Sequence, residues 1–186
     1  MKKTFALFIV VANFTFAQNG TKLYKDLKEG MSIKLAKKII KKNRGDYNEV
    51  QFGGGVNWTI KTTGLMRKTK GSDYLYGIFM WPKGSMLTGL GYDAARTYLS
   101  VAGSFFEEKG YTEIVKNQWW NAPQTFNSGN YLYGYVLLSP EKDRVIHLFP
   151  SEVPSLDGKS PPNPTAYLQI YSKDSWDAVV KLNDEK

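Results

Sequence analysis

The chain of 186 residues contains no cysteine, and this absence excludes several classes of chemistry. Without thiols there is no disulfide bond, no Cys-based zinc site and no cysteine nucleophile. Stability must then come from a hydrophobic core, and a chain of this length can build one.

Histidine is almost as scarce, since His147 is the only one. A single histidine cannot supply a multi-histidine metal site, and no Gly-x-Ser-x-Gly motif accompanies it. Alternation with Val145 and Phe149 on a predicted strand indicates a partly buried histidine with an ordinary hydrogen bond. The sequence therefore predicts neither a metal nor a cofactor.

Long apolar runs are missing except at the N-terminus. There, two lysines precede an apolar run over residues 5–16, which is too short to span a bilayer as a helix. A small residue ends the run, so we expect a signal peptide over residues 1–17 with cleavage before Gln18. An N-terminal anchor or a buried first helix are the alternatives. Residues 18–186 would then form a single domain, exported to the periplasm or secreted, with no transmembrane segment.

Acidic residues are scarce in the first half of the exported chain. Residues 18–90 carry 14 Lys and Arg against 5 Asp and Glu, a net charge of +9, whereas residues 91–186 carry 9 against 12, a net −3. Much of the excess lies on one side of a predicted amphipathic helix, at Lys34, Lys37, Lys38, Lys41, Lys42 and Arg44. That side is either a solvated helix face or a contact for phospholipid head groups, an anionic glycan or an acidic protein.

Two other partners are not expected for the Lys34–Arg44 helix. Export takes the chain away from nucleic acid, and no RNP, helix-turn-helix or zinc-finger pattern occurs. Insertion into a membrane is disfavoured because the apolar side of the helix has no Trp or Phe to seat at the interface. Binding by this helix would therefore be electrostatic.

Hydrophobic periodicity predicts three helices and seven strands. The first helix begins at the N-cap Ser32 and ends near Gly45, which offers a left-handed cap. The other helices are predicted over 93–109 and 174–182, and the strands over 47–52, 56–62, 73–81, 111–117, 130–138, 144–149 and 165–171. Residues 150–164 contain five prolines and are predicted as a loop. Short loops between strands indicate an α+β fold, with helices packed on one face of a mostly antiparallel sheet.

The two halves of the domain share landmarks in the same order, which favours an internal duplication of an α-β-β-β unit. Tyr-Leu-Tyr-Gly occurs at residues 74–77 and again at 131–134, each time after a helix and a tryptophan. The predicted halves are 30–90 and 91–172, followed by a C-terminal helix over 173–182. Chance similarity between two helix-then-strand units is the alternative.

A short stretch also resembles a known group of proteins. Gly30-Met31-Ser32 before a short helix, followed by a run of strands, resembles the helix-plus-sheet repeats of the beta-lactamase-inhibitor-like and SmpA/OmlA group. The resemblance implies an α+β fold and the binding of proteins in the bacterial envelope.

Catalysis by carboxylates needs two side chains that converge across a cleft. Glu49 and Glu113 occupy matching places in the predicted halves and form the best such pair. Both lie in alternating strands, where a solvent-facing glutamate is equally expected. A carboxylate-dependent glycan or peptidoglycan hydrolase is therefore an alternative function, and we assign no catalytic residue.

Aromatic residues are abundant, with 12 Tyr, 10 Phe and 5 Trp. Alternation places Tyr74 and Tyr76 on the same side of a strand as Ile78 and Met80, and gives a second strand a tyrosine-rich side. This sheet face is either covered by helices or open to a protein or glycan. Two adjacent tryptophans must point opposite ways in an extended chain, which leaves one to stack on a partner. The candidate binding residues are Tyr74, Tyr76, Tyr131, Tyr133, Trp119 and Trp120.

These features predict an exported, non-enzymatic binding module of the bacterial envelope or extracellular space. A Lys-rich exported chain without cysteine is more typical of bacteria than of eukaryotes. The expected partners are an envelope protein or glycan at the sheet aromatics, and an acidic surface at the Lys34–Arg44 helix.

Overall fold

Ten strands and five α-helices occupy the part of the chain described by this computed structural model, residues 20–115, 134–155 and 157–184. The strands are β1 (Lys22–Tyr24), β2 (Leu27–Lys28), β3 (Val50–Gln51), β4 (Asn57–Thr59), β5 (Leu65–Met66), β6 (Gly77–Pro82), β7 (Thr112–Val115), β8 (Tyr135–Leu138), β9 (Arg144–Val153) and β10 (Asn163–Ser172). The helices are α1 (Ile33–Lys42), α2 (Arg44–Asn48), α3 (Ser85–Thr88), α4 (Tyr92–Glu108) and α5 (Lys173–Asp184), and a 3-10 helix spans Thr62–Gly64.

Eight of these strands form one sheet in which the paired strands run antiparallel. The strand order is β3-β4-β6-β10-β9-β8-β7, and β5 also pairs with β6. The strands β1 and β2 form a separate two-stranded sheet. The predicted α+β fold with a mostly antiparallel sheet is therefore confirmed.

The helix α1 begins where the sequence predicts. The Ser32 hydroxyl accepts a hydrogen bond from the Leu35 backbone N–H at 3.2 Å, which satisfies one of the free N–H groups of the first turn. Ile33, Ala36 and Ile40 recur at helical spacing and are buried, so they fix the rotation of α1 on the core.

The end of α1 differs from the prediction. The helix stops at Lys42, and Gly45 lies inside the short helix α2 instead of capping α1 in a left-handed conformation. Tyr47 of α2 is completely buried and its ring packs edge-on against Tyr24, 5.9 Å away. Burial of this tyrosine favours the extra helical turn over the strand that the sequence predicts there.

The longest helix, α4, covers one face of the sheet. It contacts β8, β9 and β10, and its residues Ala95, Leu99 and Ala102 have no exposed surface. Burying one leucine-sized side chain in this way contributes about 1.5–3 kcal/mol. The main core therefore lies between α4, α1 and this face of the sheet.

A second, smaller cluster lies on the opposite face of the sheet. Trp176 of α5 packs there with Val136, Val145 and Tyr171. Side chains alternate between the two faces of a strand, so Val145 and Tyr171 point away from the main core that holds Ile146. The C-terminal helix thus adds a second layer on the side that α4 leaves uncovered.

The proline-rich segment is shorter as a loop than predicted. Strand β9 continues through Pro150 to Val153, and β10 already includes Pro164. Proline lacks a backbone N–H, so it fits a strand only where no neighbouring strand would accept a hydrogen bond from that position. Among the described residues, the β8 pairing on β9 ends at Leu148, before Pro150 is reached.

The internal duplication is not confirmed by the sheet. The first Tyr-Leu-Tyr-Gly ends at Gly77, the first residue of β6, and the second ends at Gly134, directly before β8. The strand β6 lies next to β10, whereas β8 lies between β9 and β7. The two motifs therefore lead into strands with different places in the sheet, and a duplication stays a prediction.

Some sequence predictions concern residues outside the described ranges. They are the signal peptide over residues 1–17 and four candidate binding residues, Trp119, Trp120, Tyr131 and Tyr133. Among the helices of the described ranges, none combines the length and the apolar character that crossing a membrane requires.

Candidate functional site

The two tyrosines proposed for binding that the structure describes lie in different environments. Tyr74 is 55% exposed. Tyr76 is half-buried, and its hydroxyl donates a 2.5 Å hydrogen bond to the carbonyl oxygen of Ser175 in α5. Burial of the ring raises the pKa of Tyr76. Of the two, Tyr74 is the side chain that solvent reaches freely.

The strand that follows these tyrosines is less regular than its sequence predicts. Ile78 lies in the main core, whereas Tyr76 packs against Tyr171 on the opposite face, with ring centroids 6.1 Å apart. The predicted shared face is therefore wrong. The reason is that Leu75 pairs through its backbone with the segment ahead of α1, so regular alternation begins only at β6.

Aromatic rings do form a continuous row on the sheet face opposite α4. Successive ring centroids lie 4.6–6.1 Å apart along Trp81, Phe79, Tyr167, Phe149, His147, Trp176, Tyr171 and Tyr76. Trp81, Phe149 and Trp176 are each at most 4% exposed, while Phe79 and Tyr167 are half-buried. Most of this aromatic row is thus packed inside the protein, where edge-to-face and tilted ring contacts stabilise it.

His147 belongs to this row and is 2% exposed. Its Nδ1 lies 3.1 Å from Oε1 of Gln169, which also accepts a 2.9 Å hydrogen bond from the Tyr171 hydroxyl. An amide oxygen only accepts, so Nδ1 carries the proton in this contact. The ring also stacks on Phe149, with centroids 4.6 Å apart. The predicted strand histidine with an ordinary hydrogen bond is confirmed, and it is fully buried where partial burial was predicted.

The two glutamates considered for catalysis do not come together. Glu49 directly precedes β3 and Glu113 lies in β7, and these are the first and last strands of the seven-strand order. Six strand spacings of about 4.8 Å separate these edges by about 29 Å, whereas a glycosidase pair needs no more than about 10 Å. Glu49 instead pairs with Lys83, whose hydrogen bond and charge lower the pKa of the Glu49 carboxyl.

A carboxylate–tyrosine contact was not found from the sequence. The buried Tyr135 hydroxyl of β8 donates a hydrogen bond to the carboxylate of Glu107. The carboxylate of Glu113 on β7 interacts electrostatically with the same hydroxyl. Burial first, and then these carboxylates, raise the pKa of Tyr135. The contact ties the end of α4 to β8. A tyrosine in the otherwise aliphatic run Tyr135–Leu138 was the only signal for it in the sequence.

The five lysines of α1 lie on one exposed side of the helix, and Arg44 follows at the start of α2. We call Lys34, Lys37, Lys38, Lys41, Lys42 and Arg44 the basic surface, and all six side chains are exposed. The ion pairs within the described ranges join Lys25 to Asp46, Lys83 to Glu49 and Lys173 to Asp177, and none of these pairs uses a residue of the basic surface. These charges face solvent, and no acidic side chain of the described ranges pairs with them.

Mutual repulsion makes this surface unfavourable for the helix. Lysines three or four positions apart are neighbours on a helix, and α1 holds five such pairs: Lys34–Lys37, Lys34–Lys38, Lys37–Lys41, Lys38–Lys41 and Lys38–Lys42. At about 0.2–0.5 kcal/mol a pair, the repulsion costs about 1–2.5 kcal/mol at low ionic strength. An anionic partner would relieve it.

Leu35 lies beside the lysines on α1, and the exposed Tyr74 is joined through its backbone to the start of the same helix. Leu35 is 44% exposed and lies on α1 between Lys34 and the buried Ala36. The backbone of Tyr74 forms an isolated β-bridge with Ser32, the N-cap of the same helix. The structure thus brings together the predicted binding residue Tyr74 and the predicted basic helix, which the sequence left as separate features.

Comparisons of the chain with protein-family models, with curated proteins and with solved structures found no match. Across residues 20–115, 134–155 and 157–184, no three His, Asp or Glu side chains gather into a group that could hold a metal ion. The candidate site is the basic surface, with Leu35 beside its lysines and Tyr74 at the start of the same helix.

Proposed function

We propose that the chain is an exported, non-enzymatic binding module of the bacterial envelope or extracellular space, and that it binds an anionic partner through the basic surface. The observation that carries the proposal is the set of six exposed cations that no described acidic side chain pairs. Ordinary solvated helices alternate charges and gain from i,i+4 pairs of opposite sign. The helix α1 has no acidic residue at all.

The way α1 is anchored supports a binding role. Ile33, Ala36 and Ile40 hold the helix on the core, so the lysine ammonium groups are arrayed on a rigid support before any partner arrives. Preorganised charge lowers the ordering cost of association and attracts an anionic partner from a distance. The signal peptide that the sequence predicts over residues 1–17 favours an envelope or extracellular partner.

The binding test compares two double variants that remove the same net charge. Lys34→Gln/Lys38→Gln neutralises the centre of the basic surface, and Lys159→Gln/Lys181→Gln neutralises two exposed lysines elsewhere. With dextran sulfate as the anionic probe, we expect the α1 variant to bind about 2- to 30-fold more weakly at low ionic strength. The control variant should bind as the wild type does. Equal affinity of both variants would contradict the proposal.

Export is tested separately in bacterial cells. The chain is expressed with its own N-terminus, the cells are fractionated, and the N-terminal residue of the recovered protein is determined. We expect protein outside the cytoplasm that begins at Gln18. An unprocessed protein confined to the cytoplasm would refute the proposed location.

A further inference from the structure

We propose that the partner of the basic surface is the head-group layer of an anionic phospholipid bilayer, on which α1 lies flat without entering the hydrocarbon. This inference rests on the proposed function, because it names the anionic partner that the proposed function leaves open. It concerns the basic surface together with Leu35 and Tyr74.

The shape of the surface fits a plane. At 100° per residue, the five lysines and Leu35 span about 160° of the helix circumference. At 1.5 Å rise per residue, the lysines from Lys34 to Lys42 form a basic strip about 12 Å long on α1. All these side chains are exposed on the outside of the helix. A convex strip of this kind touches a flat layer of head groups along its whole length.

The two residues beside the basic surface, Leu35 and Tyr74, favour a phospholipid bilayer over a hydrophilic polyanion. Leu35, 44% exposed, lies one position from Lys34 and three from Lys38. Tyr74, 55% exposed, is held beside the start of the same helix by the bridge to Ser32. An apolar side chain next to lysines gains nothing from a hydrophilic acidic polymer. Such a side chain is stabilised at the boundary between head groups and acyl chains. A tyrosine is stabilised there too, because its ring contacts the apolar region while its hydroxyl stays hydrated.

The type of cation agrees with this partner. Five of the six charges are lysines, whose long apolar stems lie along an interface while the ammonium group reaches the phosphates. Clusters of this size on a helix are typical of contacts with acidic phospholipids. The apolar side of α1 is already buried in the core, so the helix cannot turn that side to the bilayer. The geometry therefore fits adsorption and not insertion.

The experiment measures co-sedimentation of the full chain with vesicles of phosphatidylglycerol and phosphatidylcholine, and with vesicles of phosphatidylcholine alone. The full chain is used throughout, because any binding by its N-terminal run, with its two lysines, is common to all variants. We expect binding to the anionic vesicles that falls steeply with salt. Lys34→Gln/Lys38→Gln should lower the partition coefficient about tenfold or more, and Lys159→Gln/Lys181→Gln should not.

A second pair of variants separates lipid from other polyanions. Leu35→Ser/Tyr74→Ser removes both of these side chains but leaves every charge, and Leu87→Ser removes an apolar side chain that is 67% exposed elsewhere. We expect the first to weaken binding to anionic vesicles about fivefold while binding to dextran sulfate stays unchanged. We expect Leu87→Ser to change neither.

The outcomes separate this inference from the proposed function. Binding to dextran sulfate without binding to anionic vesicles would overturn the lipid inference and leave the proposed function standing. If the wild-type chain bound neither dextran sulfate nor anionic vesicles, both the proposed function and the lipid inference would be overturned. Equal partition to the two vesicle types, or full vesicle binding by Leu35→Ser/Tyr74→Ser, would also overturn the lipid inference.

Discussion

Two glycines lie where the aromatic row leaves no space for a side chain. A Cβ atom on Gly77 would lie 3.0 Å from the Tyr171 ring, and a Cβ on Gly134 would lie 2.6 Å from Nε2 of His147. These are the glycines of the two Tyr-Leu-Tyr-Gly motifs. At each of the two positions, close packing leaves room only for glycine. This explains why both motifs end in glycine without requiring a duplication.

Gly134→Ala is therefore expected to destabilise the protein. Besides His147, the new methyl group would meet the Leu148 carbonyl and lie 2.7 Å from Cβ of Phe149. Overpacking of this kind costs about 1–3 kcal/mol in free energy of unfolding, measured by urea denaturation. Gly71→Ala is the control, because no neighbouring atom lies within 4 Å of a Cβ there. Equal stability of the two variants would show that the strands shift freely to make room.

At the same scale, the sequence predicts some side-chain environments and not others. His147 could be placed correctly, because regular alternation on an uninterrupted strand decides its face. Tyr76 could not, because its direction depends on where Leu75 leaves the strand to pair with the segment ahead of α1. Such a break is set by long-range pairing and leaves no local signal.

At the scale of elements, strong periodicity predicts the long helices and fails for the short ones. The predicted helix over 93–109 differs from α4 by one residue at each end, because buried Ala95, Leu99 and Ala102 mark one side. The helix α2 was missed because Gly45 reads as a terminator. The strands β1 and β2 hold three and two residues, which is too short for a period to be recognised.

Removing a lysine from the like-charge pairs of α1 is expected to stabilise the protein. Lys38 takes part in three of the five pairs, so Lys38→Gln should raise the free energy of unfolding by about 0.5–1.5 kcal/mol at low ionic strength. Salt screens exposed charges, so the gain should disappear near 1 M NaCl. Urea denaturation at both salt concentrations measures it.

Lys159→Gln is the matched control for this variant, because Lys159 lies in an exposed turn outside any helix. We expect it to leave the stability unchanged at either salt concentration. A stability gain of Lys38→Gln that persists in high salt would mean that helix propensity, and not repulsion, is the cause.

At the scale of the whole molecule, the sheet order decides which residues meet. It separates Glu49 from Glu113 across the full width of the sheet, and the bridge to Ser32 brings Tyr74 to the start of α1. Neither result can be read from the sequence, because both depend on which strands become neighbours. The lysines of the basic surface could be predicted, because their periodicity is local to one helix.

Buried and half-buried tyrosines make the fold sensitive to alkaline pH. Burial raises the pKa of six of them, Tyr24, Tyr47, Tyr76, Tyr111, Tyr135 and Tyr171. In the unfolded chain these groups ionise near pH 10, while the folded protein keeps the protons. The unfolded state then binds fewer protons than the native state, so stability is fully present below pH 10 and is lost as the pH rises above it.

Tyr171 allows this loss to be assigned to one side chain. It is 3% exposed, burial and the nearby Tyr76 raise its pKa, and its hydroxyl donates to Gln169. Tyr171→Phe should cost about 0.5–1.5 kcal/mol at pH 7 for the lost hydrogen bond. Above pH 10 its stability should fall less steeply than that of the wild type, by up to about 1.4 kcal/mol per pH unit, in urea denaturation between pH 7 and 11.5. An unchanged slope in Tyr171→Phe would show that Tyr171 ionises without unfolding the protein.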